Sequence, residues 1–422
     1  MRTIFIFLSV TATVFPQLNF DELFYDKTLR VDYFHTGNSE SDSYSIDELI
    51  EEPYWGGSKV NLIDKFNYGM YKVEVHDQTS GIMIYSRSYT TLFNEWQKTN
   101  EANQTTKSFS ESFVLPFPKK PVRLEFYSRN KINELINKYE YNIDPESYFI
   151  NSERSTKYKK FEVMISGEPA KKVDIVFIPD GYTSEEMDKF KLDCNRFAGY
   201  LFRSTPFKEN KNKFNIWGIM APSEDSGTDI PAKNIWVNTV VGTTFYTFDL
   251  DRYLMTRANK ELRTIASYAP YDQIYIMVNS TKYGGGSIYN FYSVCVSGNR
   301  YSDYIFVHEF GHGFASLGDE YSTSDVTYED FYSADVEPLD PNLTTLVNFE
   351  SKWKDLVEEG TPIPTPNTEE YKNKVGVFEG GGYMKKGIFR PTENCTMKSI
   401  SVDNFCPVCK RAIQKMIDFY TK

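Results

Sequence analysis

Histidine is nearly absent from this chain, with four residues in 422, and cysteine is almost as scarce, with five. So few cysteines exclude a disulfide-dense scaffold in which covalent staples replace a hydrophobic core. Positive charge is also short: 47 Lys and Arg stand against 58 Asp and Glu, for a net charge of −11. That balance argues against a nucleic-acid surface, which needs clustered basic residues. Beyond the N-terminus no apolar run approaches the roughly 20 residues needed to cross a bilayer, so no transmembrane segment is expected in the mature chain. No internal repeat is visible, and nothing in the pattern specifies an oligomer. What remains is a globular composition, 40% hydrophobic and 25% charged, rich in Tyr (31) and Phe (32), which suits β-rich packing. The length predicts two or three domains.

The first residues read as an export signal over 1–17. Met1-Arg2 supplies a short positive region, and the apolar run over 4–14 is too short to span a membrane. Cleavage is expected between Ala12 and Leu18, although Phe15-Pro16-Gln17 fits the small-residue rule poorly. No cysteine follows the run, which argues against a lipoprotein anchor. The expected location is outside the cytoplasm: secreted, periplasmic or at the cell surface. Three of the cysteines, Cys395, Cys406 and Cys409, cluster near the C-terminus. An exported chain permits a disulfide from Cys395 to Cys406 or Cys409, with buried free thiols as the alternative. As a zinc signal, Cys406-x-x-Cys409 lacks a matching second pair.

Two regions follow the signal. Over 18–150 the pattern is strand-like. Tyr71, Val73 and Val75 alternate with Lys72, Glu74 and His76, and the runs 81–85 and 122–127 read similarly, so a β-sandwich is expected. The polar stretch 151–160 is a boundary. From there to 422 strands alternate with helices. Buried strands are predicted at 172–179, 214–220 and 273–278. Helices are predicted from Thr183, capped with Glu186, to about Phe202, over 249–268, and over 407–420 with Pro407 in its first turn. The fold class expected is therefore α+β or α/β, with a mixed sheet.

The chemistry is concentrated in 302–320. His308 and His312 are four residues apart, so a helix carries both imidazoles on one face, where they can hold one zinc ion. Glu309 lies between them, placed to take a proton from activated water and pass it to a leaving amine. Two of the four histidines fall in this five-residue motif. No histidine follows His312, so the third ligand must be something else, and the nearest carboxylates are Asp319 and Glu320. On a continuous helix Asp319 would sit about 10 Å further along the axis. The helix must therefore end and the chain fold back, and Gly318 is well placed to allow it. Asp319 is the expected third ligand, with Glu320 as the alternative or as a partner to a histidine ring nitrogen.

The segment from His308-Glu309-Phe310-Gly311-His312 through Gly318-Asp319-Glu320-Tyr321 resembles the active-site segment of the bacterial IgA-peptidase family of zinc metallopeptidases. That family is metzincin-like, with a methionine turn beneath the metal, and Asn394-Cys395-Thr396-Met397-Lys398-Ser399 is similar to this turn. Further segments resemble the family: Phe405-Cys406-Pro407-Val408-Cys409, Ser226-Gly227-Thr228-Asp229-Ile230-Pro231, Tyr283-Gly284-Gly285-Gly286 and, in its N-terminal sandwich domain, Lys27-Thr28-Leu29-Arg30-Val31-Asp32-Tyr33. One departure stands out. The metzincin pattern places Gly three residues after the second His and the third ligand three further on. Here those positions are Ala315 and Gly318, and the acid comes one residue later. The resemblance implies Met397 as a soft apolar floor below the metal. It also implies Gly284–Gly286 as an edge for an extended peptide, and Tyr321 or Tyr383 as an oxyanion donor. Asp225 and Asp229 read as a turn in preference to a calcium loop.

The expected function is a zinc metalloendopeptidase with one catalytic Zn2+ held by His308, His312 and Asp319 and with Glu309 as base. The substrate would be an extracellular protein or glycoprotein such as immunoglobulin A. Two alternatives are a surface binding protein with a latent peptidase domain and a zinc hydrolase for non-peptide amides.

Overall fold

The computed structural model describes residues 18–322, 332–402 and 404–422. The export signal expected at 1–17 lies outside the described residues. After a short helix α1 (Phe20–Leu23), the N-terminal part is built from β1 (Phe24–Gly37), β2 (Asp42–Glu52), β3 (Tyr71–Asp77), β4 (Met83–Tyr89), helix α2 (Leu92–Gln97), β5 (Lys107–Pro118), β6 (Val122–Arg129), β7 (Leu135–Ile143) and β8 (Ile150–Asn151). They form two four-stranded sheets, β5-β1-β2-β8 and β4-β3-β6-β7. The alternation predicted for β3 is observed, with Tyr71, Val73 and Val75 buried and the residues between them half-buried. Apolar faces of the two sheets meet through aromatic rings. Tyr33 of β1 and Tyr44 of β2 lie 5.3 and 5.5 Å from Phe126 of β6, within the range where edge and offset contacts stabilise.

The rest of the chain is organised on a six-stranded mixed sheet of order β13-β14-β12-β10-β11-β9. Its members are β9 (Lys159–Met164), β10 (Val173–Asp180), β11 (Phe214–Met220), β12 (Gln273–Val278), β13 (Gly285–Ile288) and β14 (Tyr292–Val296). The strands β11, β10, β12 and β14 run parallel, and β9 and β13 close the edges antiparallel. Central strands β10 and β12 are buried along their whole length, as parallel strands covered on both faces must be. Helix α3 (Met187–Leu201) is entered through the expected reciprocal cap between Thr183 and Glu186. Helix α4 (Asn259–Ala266) is much shorter than the predicted 249–268. Phe248 and Asp249 adopt left-handed φ of 54° and 68°, and residues 253–255 form isolated bridges, Tyr253 to Gly285 and Met255 to Thr244. Edge pairing therefore outcompeted local helix propensity there.

Helix α5 (Ser302–Ala315) carries the histidine motif and packs on β13, β14 and α3. A hairpin of β15 (Phe378–Gly381) and β16 (Met384–Arg390) and the C-terminal helix α6 (Pro407–Thr421) complete the fold. Among the described residues no helix is long and apolar enough to cross a membrane.

Candidate metal centre

Helix α5 is apolar on most sides. Phe306, Phe310 and Phe314 are fully buried, against Phe177, Tyr275 and Phe207. This fixes the helix so that His308 and His312 face a broad cleft lined also by Glu309, Asp319, Arg252 and Tyr383. Small residues let it lie close to its neighbours. A side chain at Gly311 would reach Met397 Sδ at 3.0 Å, and one at Gly313 would strike Ser287 and Ser293 Oγ at 2.5 Å. The helix stops where Ser316 turns left-handed, at φ 53°. The chain reverses there and not at Gly318, as expected from sequence. Gly318 serves a close approach instead: a Cβ there would sit 2.5 Å from Leu343.

The reversal returns Asp319 to the histidines. Its Oδ1 lies 3.1 Å from His308 Nε2 and 3.3 Å from His312 Nε2, and the two Nε2 atoms are 3.1 Å apart. The other ring nitrogens are already committed. His308 Nδ1 donates to the Thr396 carbonyl at 3.0 Å, and His312 Nδ1 donates to the Leu317 carbonyl at 2.5 Å. With the proton on Nδ1, both Nε2 lone pairs aim at one point. Asp319 Oδ1 is then a buried acceptor without a donor, an arrangement that is costly unless a cation is shared. The electrostatics agree. Burial opposes charge on both partners, but the Asp319 carboxylate pushes His312 up to about 9. The two imidazoles hold Asp319 well below the usual carboxylate range against its own burial. His308, His312 and Asp319 together form a group suited to a metal ion, with two imidazoles and one carboxylate as the donor set.

Asp319 Oδ2 is held separately. The Tyr321 hydroxyl donates to it at 3.0 Å, and the Tyr383 hydroxyl also donates to it. Both phenols therefore orient the carboxylate, where the family resemblance had suggested oxyanion donors. Glu309 is half-buried, beside Gly285. Burial pushes its carboxyl above the usual value, with His308 and His312 opposing. Met397 lies fully buried beneath α5.

Two family models match the chain. Residues 19–140 match the Peptidase M64 N-terminus, and 161–374 with 367–417 match IgA Peptidase M64. The chain belongs to the IgA peptidase M64 family. As a member it is a peptidase, and its substrate is protein. None of the curated proteins compared matches it.

Other expectations for this M64 peptidase resolve as follows. Glu320 reaches neither histidine. It turns to the opposite side, where its Oε1 accepts from Asn342 Nδ2 at 2.9 Å. Gly284 and Gly285 are not a free edge. Val296 N–H donates to the Gly284 carbonyl, Leu254 N–H donates to the Gly285 carbonyl, and Gly285 N–H donates to Arg252. Asp225 and Asp229 accept from the backbone N–H groups of Asn238 and Val237, 13 and 8 residues further along the chain, so both carboxylates tie the following loop in place. The cysteines are all free thiols, with Cys395 and Cys409 sulfurs 3.8 Å apart. That is too far for the disulfide preferred from sequence, which needs about 2.05 Å. The carbonyls of Leu317 and Thr396 had no sequence signal, since any residue offers one. Arg252, 6.0 Å from the Tyr321 ring, fell inside the misassigned helix.

Proposed function

We propose that this M64 peptidase is an exported zinc-dependent endopeptidase that cleaves extracellular proteins, immunoglobulin A or other glycoproteins among them. The observation that carries the reading is the convergence of His308 Nε2, His312 Nε2 and Asp319 Oδ1 on one point with Glu309 beside it in an open cleft. His308, His312 and Asp319 would hold the ion. When bound, zinc supplies Lewis-acid activation of water and of the scissile carbonyl. Glu309 accepts the proton of the attacking water and delivers it to the leaving amine. Burial suits that exchange, because it raises the proton affinity of Glu309 above the ordinary carboxylate value. Tyr321 and Tyr383 keep Asp319 in place, and Arg252 adds positive charge to the cleft wall. No covalent acyl-enzyme is needed.

Removal of metal tests this reading. Dialysis against a chelator, followed by zinc, is expected to abolish and then restore cleavage of an unfolded protein pool. Cleavage that survives complete metal removal would sink it.

A further inference from the structure

The residue next to the third histidine-site ligand points into a second cluster. Glu320, Cys395, Cys406 and Cys409 come together beneath the methionine turn, with all four ligand atoms within 4.8 Å of one another. All four residues are buried, Glu320, Cys395 and Cys409 completely. Cys409 Sγ is 3.8 Å from Cys395 Sγ and 3.2 Å from Glu320 Oε1, and Cys406 Sγ is 4.0 Å from the same oxygen. A tetrahedral ion with metal–sulfur bonds of about 2.3 Å requires sulfur–sulfur edges of about 3.8 Å and sulfur–oxygen edges of about 3.5 Å. Disulfide geometry is far shorter.

Two independent features point to negative charge awaiting a cation. Glu320 Oε2 is buried without any hydrogen-bond partner, a costly state for a carboxylate oxygen. Backbone amides also face the sulfurs. Cys406 N–H donates to Cys395 Sγ at 3.2 Å, and Cys409 N–H donates to Cys406 Sγ at 3.4 Å. Cys406 is the N-cap of α6, where the helix dipole favours thiolate.

We propose that Glu320, Cys395, Cys406 and Cys409 form a second, structural zinc site that braces the catalytic one. Binding involves no redox step: the zinc replaces the thiol protons, which are released to solvent. The bracing follows from connectivity. Asp319 and Glu320 are consecutive, so one short segment serves both sites. Glu320 N–H donates to the Met397 carbonyl at 2.9 Å, and the Thr396 carbonyl, next to Cys395, orients His308. A closed four-ligand centre at this junction fixes the third ligand, the methionine turn and the start of α6 relative to each other.

The proposal does not require peptidase activity, and its test is spectroscopic. The purified chain loaded with Zn2+ is expected to carry two zinc ions by elemental analysis. Its zinc X-ray absorption should show sulfur at about 2.3 Å, which the His308–His312–Asp319 group, having no sulfur, cannot supply. A His308→Ala/His312→Ala variant should keep one zinc with a sulfur-enriched signal, and Cys406→Ser/Cys409→Ser should lose most of the sulfur signal. Should the cysteine variant fail to fold, Co2+-loaded wild type decides through its thiolate charge-transfer band in the near ultraviolet. Zinc without sulfur scattering, no such band, or a mass two hydrogens low from a disulfide would each overturn the proposal.

Discussion

At the scale of single residues, the histidine pair is set by partners on both ring nitrogens. The Nδ1 atoms are pinned by main-chain carbonyls of Thr396 and Leu317, which turns both Nε2 atoms toward Asp319 Oδ1. The Asp319 carboxylate is divided in the same way, with Oδ1 toward the imidazoles and Oδ2 under two phenols. Both tyrosines are kept protonated by burial and by Asp319, which raise them well above the usual phenol value, so they donate at all working pH. Replacing them together, Tyr321→Phe with Tyr383→Phe, is expected to weaken metal affinity roughly 10–100-fold, measured by competition with a chromogenic chelator, while leaving the fold intact. The paired histidines and Glu309 were legible because a spacing of four places both histidines on one helical face. Which carboxylate completes the set was not, since Asp319 and Glu320 differ by one position. The choice is made by the left-handed Ser316 and by Asn342, which holds the Gly318 backbone at both its N–H and its carbonyl.

At the scale of elements, the geometry depends on how closely α5 approaches the sheet edge. Gly285 is the point nearest Glu309: a Cβ there would meet Ile305 at 2.8 Å, the Val294 carbonyl at 2.9 Å and Glu309 Cγ at 3.3 Å. Gly285→Val is expected to cost about 1–3 kcal/mol by overpacking, read as a lowered Tm, and to reduce cleavage by displacing Glu309. An unchanged Tm would show that the edge has slack. Strands and helices with a clear period, such as β3, β10, β12, α3 and α6, were readable from sequence. The failure at 249–268 has a physical cause. Its apolar residues Tyr253 and Leu254 pair with Gly285 of β13 and Met255 pairs with Thr244, and a short apolar stretch cannot by itself tell strand pairing from helix.

At the scale of the molecule, the N-terminal sheets form part of the cleft. Glu95, Lys98 and Arg129 line it together with the histidines, and the Tyr253 hydroxyl donates to Glu95 across the junction. Buried polar contacts hold the two parts together. Arg87 reaches Tyr420 and Asn290, and Tyr271 donates to Glu52 at 3.0 Å. Sequence pattern indicated a sandwich followed by an α/β layer but could not show that the sandwich reaches the site, since no local period encodes a docking face. Within the sandwich, His35 is buried between Tyr44 and Phe93, with Nδ1 3.1 Å from Glu111 and Nε2 3.2 Å from Asp42. Burial lowers its proton affinity, but Glu111 and Asp42 outweigh it and the net shift is upward. Its stabilisation is therefore complete below the unfolded value of about 6.5 and is lost as pH rises through the folded value. Asp42 is shifted down by His35, Lys138 and Ser128 against its burial, so its contribution holds above about 3.9 and disappears at lower pH. The Tm difference between wild type and His35→Asn should be greatest near pH 5–6 and shrink toward alkaline pH. A difference that grows with pH would contradict this assignment.

The central claim is that Glu309 works on water beside a metal held by His308, His312 and Asp319. The most direct measurement compares wild type with Glu309→Ala on a broad peptide library, with the metal content of each determined on the same sample. The account predicts equal zinc in both proteins and a rate roughly 10²–10⁴-fold lower, or undetectable, in the variant. Cleavage by the variant at the wild-type rate, or wild-type protein that binds no zinc, would contradict it.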